Sequence, residues 1–199
     1  MARLVFFDQG HQYEMDGERL PSVSELCRFI ARETYADVAQ YNLDRAAERG
    51  TLVHKACEAL DVYGRAEVDE DVEGYVAAYA MFRREHAVKW RMVEKSLHHP
   101  ADRYAGTIDR YGTLDGVETL LDIKTSYTVH KRLAVAQLNL YRRMLEANGV
   151  QPDRLVILHL QRDGYKLVDI DRRDDVPDAL LTLHRLMEPR RKGRKTSGK

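Results

Sequence analysis

At residue 89 the hydrophobic pattern of this chain changes period, and that change limits the folds open to it. Before it, residues 37–63 and 69–87 repeat at helical spacing. Leu52, Val53, Ala56 and Leu60 form one stripe, and Val72, Tyr75, Val76, Tyr79 and Phe82 lie on related faces of the second stretch. Gly50 is a candidate break in the first. After the change, period-two patterns predict strands over residues 89–98, 103–111 and 117–124, with Tyr111-Gly112-Thr113-Leu114-Asp115-Gly116 as a turn between the last two. A helix over residues 129–147 stops before Asn148-Gly149. Strands over 154–161 and 165–170 follow, joined by Asp163-Gly164, and a helix over 174–187 closes the pattern. Helices, three strands, helix, two strands, helix, without repeat or long linker, predict one α/β domain over residues 1–188 with a mixed central sheet flanked by helices.

Ahead of these elements, residues 4–22 read as a small hairpin. Val5, Phe6 and Phe7 start it, His11, Tyr13 and Met15 alternate with Gln12 and Glu14, and Asp16-Gly17 is a hairpin turn signal. After Pro21, Ser22 or Ser24 can cap a short helix through Ile30, with Glu25 three residues after Ser22.

Charge narrows the function classes. The 199 residues carry 32 Lys plus Arg against 32 Asp plus Glu, which excludes a uniformly basic nucleic-acid coat but not a local basic groove. Six of the basic residues fall in Arg190–Lys199 with no acid among them, leaving 26 against 32 in the body. The basic stretch 189–199 has no apolar periodicity and is expected to be a disordered tail, either merely solvated or loosely attracted to phosphate. No run of eighteen apolar residues predicts a membrane span, and the start is too short and too soon polar for a signal peptide. Cys27 and Cys57 are too few for a disulfide scaffold or a four-cysteine metal site, and point to a reducing, cytoplasmic setting.

Chemistry concentrates in Gly106-Thr107-Ile108-Asp109 and Leu121-Asp122-Ile123-Lys124. Period two puts Asp122 and Lys124 on one face of a strand, with Ile123 toward the core. Asp109 can meet Asp122 across a hairpin. Two carboxylates and a lysine at a sheet edge are costly unless compensated, and a hard divalent cation compensates them. Surface ion pairing is the competing account. His54 lies four residues after Gly50 and four before Glu58, either as a ligand for a metal such as Mn²⁺ or as a helical histidine beside an acid. Gln137 and Tyr141 share a helix face, to bond phosphate or base, to brace catalytic groups, or only to mark a core boundary. Arg49, Arg103, Arg110, Lys131, Arg132, Arg142 and Arg143 lie near these motifs, to face a duplex or to form salt bridges.

In this order the fragments resemble the PD-(D/E)XK nuclease superfamily, in its RecB-type, lambda-exonuclease-like branch, over about residues 45–145. Gly50 and His54 match its glycine, three residues, histidine motif. Asp109 matches the aspartate of its Gly-x-Ile-Asp strand, Asp122-Ile123-Lys124 its D/E-x-K motif, and Gln137 with Tyr141 its glutamine, three residues, tyrosine motif. The amino-terminal His-x-Tyr-x-x-Asp-Gly and Pro-Ser-Val resemble phage-encoded relatives.

The resemblance implies a restriction-endonuclease-like core and metal-dependent DNA hydrolysis. An exonuclease of phage-type recombination or repair is the first expectation. An endonuclease with the same centre, or a non-catalytic nucleic-acid-binding domain, are the alternatives. It implies Mg²⁺ or Mn²⁺ held by His54, Asp109, Asp122 and the Ile123 carbonyl, with Glu94 and Glu58 as further acidic candidates. Lys124 would act on water, and Gln137 and Tyr141 would support the centre or contact DNA. Branch members with iron–sulfur clusters need four cysteines, so no cluster is expected here. DNA is the implied partner, together with a single-strand annealing or single-strand-binding protein, in the cytoplasm or a phage host's cytoplasm.

Overall fold

A computed structural model describes residues 4–7, 10 and 12–187; His11 and the basic tail lie outside the described residues. The chain begins with three short strands, β1 (Leu4–Phe7), β2 (Gln12–Met15) and β3 (Glu18–Leu20), paired in that order and antiparallel. The expected hairpin is therefore a three-stranded sheet. Its Asp16-Gly17 turn has φ of 52° and 79°, the left-handed pair that a two-residue hairpin loop needs.

The capping signal at Ser22 is used in full. Ser22 Oγ accepts from Glu25 N–H, and Glu25 accepts from Ser22 N–H. The helix it starts is short: α1 (Val23–Leu26) gives way at Cys27 to α2 (Arg28–Thr34), so the expected single helix is two. Then come α3 (Gln40–Tyr63) and α4 (Glu73–Glu85). Gly50 does not interrupt α3. A side chain there would meet only Thr125 Oγ1, at 3.9 Å, and the helix continues to Gly64, whose φ of 71° ends it.

The main sheet holds β4 (Val88–His99), β5 (Tyr104–Leu114), β6 (Val117–Lys124), β7 (Arg154–Gln161) and β8 (Gly164–Asp169), in that spatial order. All pairings are antiparallel except β6 with β7. Those two parallel strands are joined through α5 (Lys131–Ala147), as a parallel pair requires. The last helix is α6 (Asp175–Met187). The molecule is thus α/β with a mixed sheet flanked by helices.

One expectation about the β5–β6 connection is corrected. Tyr111 to Leu114 belong to β5, and the turn is Asp115-Gly116 alone, with φ of 52° and 84°. Gly112 serves close packing instead. A Cβ there would lie 2.1 Å from Lys89 O, where β4 bulges between Trp90 and Met92.

Strand alternation sends β7 residues to both faces. Leu155 and Ile157 join Leu120, Leu138 and Met144 beneath α5, while Val156 and Leu158 join Leu121, Ile123, Tyr79 and Phe82 beneath α3 and α4. The small sheet is tied to β5: Ala105 N–H donates to Pro21 O at 3.0 Å, and the Tyr13 hydroxyl bonds Thr107 Oγ1 at 2.9 Å. Among the described residues no helix is long and apolar enough to cross a membrane.

Candidate active site

Strands β5 and β6 pair as far as Arg110 with Leu121. One step further, where Asp109 and Asp122 would be opposite, a side chain replaces the ladder: Asp109 Oδ2 accepts from the Ile123 N–H at 2.7 Å. This fork is where the charged residues gather. Asp109 is 8% and Asp122 2% exposed, so both carboxylates need partners.

Helix α3 brings His54 to the fork. Its Nε2 lies 3.1 Å from Ile123 O and its Nδ1 3.2 Å from Glu94 Oε1. Nδ1 is also 3.7 Å from Asp109 Oδ2. Donation from Nε2 to a backbone carbonyl fixes the ring and aims Nδ1 at the two carboxylates, the arrangement that orients a metal-ligating histidine. A neutral Nδ1 lone pair facing two carboxylates is repulsive, so either a proton or a cation must lie between them. In the metal-free protein it is a proton. Burial opposes the charged imidazole, but Asp109 and Glu94, with Asp122 further off, outweigh it and push His54 up to about 9. His54, Glu94 and Asp109 each offer one ligand atom, all within 4.8 Å of one another, close enough to hold one metal ion.

Glu94 enters this group through an unusual backbone. Its φ is 43°, a left-handed conformation that is costly for a residue with a long side chain. It sits two residues beyond the β4 bulge. From below, Arg110 Nη1 donates to Glu94 Oε1 at 3.0 Å, and Arg110 Nε donates to Asp61 Oδ2 at 2.6 Å. The Tyr79 hydroxyl donates to the same Asp61 oxygen at 2.5 Å, and Arg83 Nη1 is 3.3 Å from Asp61 Oδ1. Arg110 is fully buried. Burial disfavours its charge, but the surrounding acids hold it protonated.

Asp122 and Lys124 make the other side. Lys124 Nζ is 2.6 Å from Asp122 Oδ2, and Gln137 Nε2, from α5, donates to Asp122 Oδ1 at 3.0 Å. Burial raises the Asp122 carboxyl against the pull of Lys124, while Asp122 and Asp109 raise the Lys124 amine against burial. Tyr141 lies one turn after Gln137, 6% exposed, and burial lifts its phenol well above its usual range. Gly106 gives the ring its space, since a Cβ there would come within 2.7 Å of Tyr141 Cε1.

The structure thus brings together His54, Glu94 and Asp109, with Asp122, Lys124, Gln137 and Tyr141 beside them. Three other candidates have different surroundings. Asp122 is engaged by Lys124 and Gln137 and is not one of the three convergent ligand residues. The Ile123 carbonyl is occupied by His54. Glu58 is not in the group either. Four residues along a helix advance it about 6 Å, past the fork. Of the seven basic residues near the motifs, six are ion-paired: Arg103 with Glu18, Arg110 with Asp61 and Glu94, Lys131 with Asp171, Arg132 with Glu33, Arg142 with Glu146 and Asp174, and Arg143 with Asp102 and Asp178. Among the described residues Arg49 is the exception. The Asp61–Arg110–Tyr79 support was not foreseen, although Asp61 follows His54 by seven residues, two helical turns on the same stripe. No known family model and no curated protein sequence matches this chain.

Proposed function

We propose that the fork is the centre of a metal-dependent deoxyribonuclease, an exonuclease in phage-type recombination, repair or DNA processing in the cytoplasm. The observation that carries this reading is the convergence of His54 Nδ1, Glu94 and Asp109 within 4.8 Å, beside a lysine held on a buried aspartate. The donor set fits Mg²⁺ or Mn²⁺, with carboxylate oxygens suited to either and an imidazole favouring Mn²⁺. Such an ion supplies Lewis-acid polarisation of a phosphodiester and a lowered pKa for water.

The chain's own residues do the positioning. Asp122 keeps Lys124 charged and fixes its ammonium at the edge of the fork, where it can orient an attacking water or donate to charge developing on phosphate. Gln137 holds the second Asp122 oxygen. Arg110 holds Glu94 in place, and the Ile123 carbonyl keeps the His54 ring turned toward the ligands. The exonuclease assignment over an endonuclease rests on the resemblance of the four motifs to the lambda-exonuclease-like branch. DNA is the partner this reading requires, with a single-strand annealing or single-strand-binding protein as its companion in recombination.

The test uses end-labelled linear DNA and covalently closed circular DNA with Mn²⁺, Mg²⁺ or EDTA. Degradation of linear DNA alone, abolished by EDTA, is the expected result. Cutting of the circle makes the enzyme an endonuclease, and binding of either DNA without cleavage makes it a binding domain. Asp109→Asn, which retains an acceptor for the Ile123 N–H, is expected to lower the rate by roughly 10³-fold or more, with weaker Mn²⁺ binding by calorimetry. Full activity in this variant rejects the centre.

A further inference from the structure

Two residues beyond the Ile123 carbonyl that His54 grips, α3 touches the chain again: Arg49 Nη2 donates to Thr125 O at 3.2 Å. Strand geometry separates the two carbonyls by about 7 Å. Here a cleft of about 300 Å³ opens between α3, α4 and the loops that follow β6 and β7, lined by Arg49, Tyr75, Thr125, Tyr127, Gln161 and Arg162 among others. The guanidinium carbons of Arg49 and Arg162 lie 5.6 and 5.9 Å from the centre of one ring, that of Tyr75. The placement of Arg162 is built in. A Cβ on Gly74 would lie 2.7 Å from Arg162 O, so that glycine lets α4 pack directly on the β7–β8 turn.

Two features of this cleft bear on what it could hold. Among the described residues neither Arg49 nor Arg162 is in an ion pair, whereas the other basic residues near the motifs all are. Tyr127 is 97% exposed, a whole aromatic face spent on no packing within the chain. Each guanidinium donates to a backbone carbonyl, Arg49 to Thr125 O and Arg162 to Asp71 O at 3.5 Å, but neither charge is neutralised by a carboxylate, which suits phosphate, and a free aromatic face matches an unstacked base. A duplex offers phosphates but keeps its bases stacked, so the tyrosine is redundant for a duplex and useful for a single strand. The volume is at the small end of ligand pockets, too small for a duplex.

We propose that this cleft is a subsite for one unpaired nucleotide next to the scissile phosphate, its phosphate held by Arg49 and Arg162 and its base stacked on Tyr127. This rests on the reading of the fork as a phosphodiester-hydrolysing centre and adds to it that the substrate strand is taken single-stranded, or frayed, on the Thr125 side.

The experiment separates the two readings. Binding of the full chain to a fluorescent single-stranded oligonucleotide and to a blunt duplex is measured by anisotropy in EDTA, where hydrolysis is off. Tyr127→Ala and Arg162→Ala are each expected to weaken single-strand binding roughly tenfold and to change duplex binding less than twofold. Arg162→Lys, which keeps the charge and loses the planar group, is expected to fall between. Thermal melting confirms that these surface variants fold. Unchanged single-strand affinity in both alanine variants, or equal losses for both DNAs, overturns the subsite. Mn²⁺-dependent cleavage is then followed separately in wild-type protein. Cleavage with unaffected single-strand binding in the variants removes the subsite and keeps the nuclease. Selective binding losses without wild-type cleavage keep the subsite and remove the nuclease.

Discussion

On the α3 side of the fork Glu94 is gripped from beneath by Arg110, itself tied to Asp61, Tyr79 and, through Asp61, Arg83. On the α5 side Asp122 is held by Lys124 and Gln137. The exposures differ accordingly. The side chains of Arg110 and Asp61 are 0% and 2% accessible, whereas Lys124 keeps 31%. The Arg110–Asp61 pair, sealed from water, cannot be broken without leaving an unpaired ion, so it acts as a fixed scaffold. A lysine with one open side can approach a substrate. The first arrangement holds ligands in place, and the second is available for chemistry.

Removing the open side should therefore damage turnover far more than the fold. Lys124→Ala is expected to reduce the hydrolytic rate by roughly 10³–10⁴-fold, within the range for a group acting on a proton or developing charge. The protein should tolerate the change, because Asp122, already raised by burial, can take up a proton when its partner is gone. Affinity for DNA in EDTA should stay within about threefold. Single-turnover rates and anisotropy together decide it. If affinity collapses while the rate holds, Lys124 is a phosphate clamp and the two sides do not divide the work in this way.

The sealed side should answer in the opposite manner. Arg110→Met leaves Asp61 and Glu94 without their shared cation and is expected to cost about 3–5 kcal/mol in urea unfolding. Arg110→Lys should recover only part of this, since one ammonium cannot reproduce the two-pronged contact to Asp61 and Glu94. A loss under about 1 kcal/mol for Arg110→Met would mean that the network is no scaffold.

The same division explains what could be read from sequence. Asp122, Ile123 and Lys124 were legible because strand alternation is local, and Gln137 with Tyr141 because helical spacing is. The mixed sheet followed from the order of periodicities. Glu94 carried little signal, since its position depends on a bulge and a left-handed backbone that no side-chain pattern announces. For Arg110 the pattern leaves a duplex contact and a salt bridge equally open, because its partner Asp61 is 49 residues away and only the packing of α3 on the sheet brings them together. The different surroundings of Asp109 and Asp122 are hidden for a related reason. Both are strand carboxylates of one motif, and the difference is set by which neighbours, Lys124 and Gln137 or His54 and Glu94, reach them first. Gly112 shows the same limit at the backbone level, a glycine in a turn-like string that serves a close strand contact.

A smaller effect tests the link between the two sides, the proton on His54. Its folded pKa is raised from 6.5 to about 9 by Asp109 and Glu94. The folded metal-free protein therefore binds more protons than the unfolded chain between those values. The stabilisation is complete below about pH 6.5 and is lost as pH rises toward 9. In EDTA, unfolding free energy should fall by at most about 1.4 kcal/mol per pH unit over pH 7 to 8. The buried thiols of Cys27 and Cys57, also raised by burial, act in the same direction but only where unfolded thiols ionise, nearer pH 9. His54→Gln should remove the slope at pH 7 to 8 and leave the steeper fall above it. Saturating Mn²⁺ should flatten this slope in wild type, because the ion competes with the Nδ1 proton and gains affinity as pH rises, by up to about tenfold per unit, which offsets the fall. A wild-type stability that is flat from pH 7 to 8 in EDTA would mean that His54 is neutral in the folded protein, and the carboxylates facing it would then have to be held apart by some other cation.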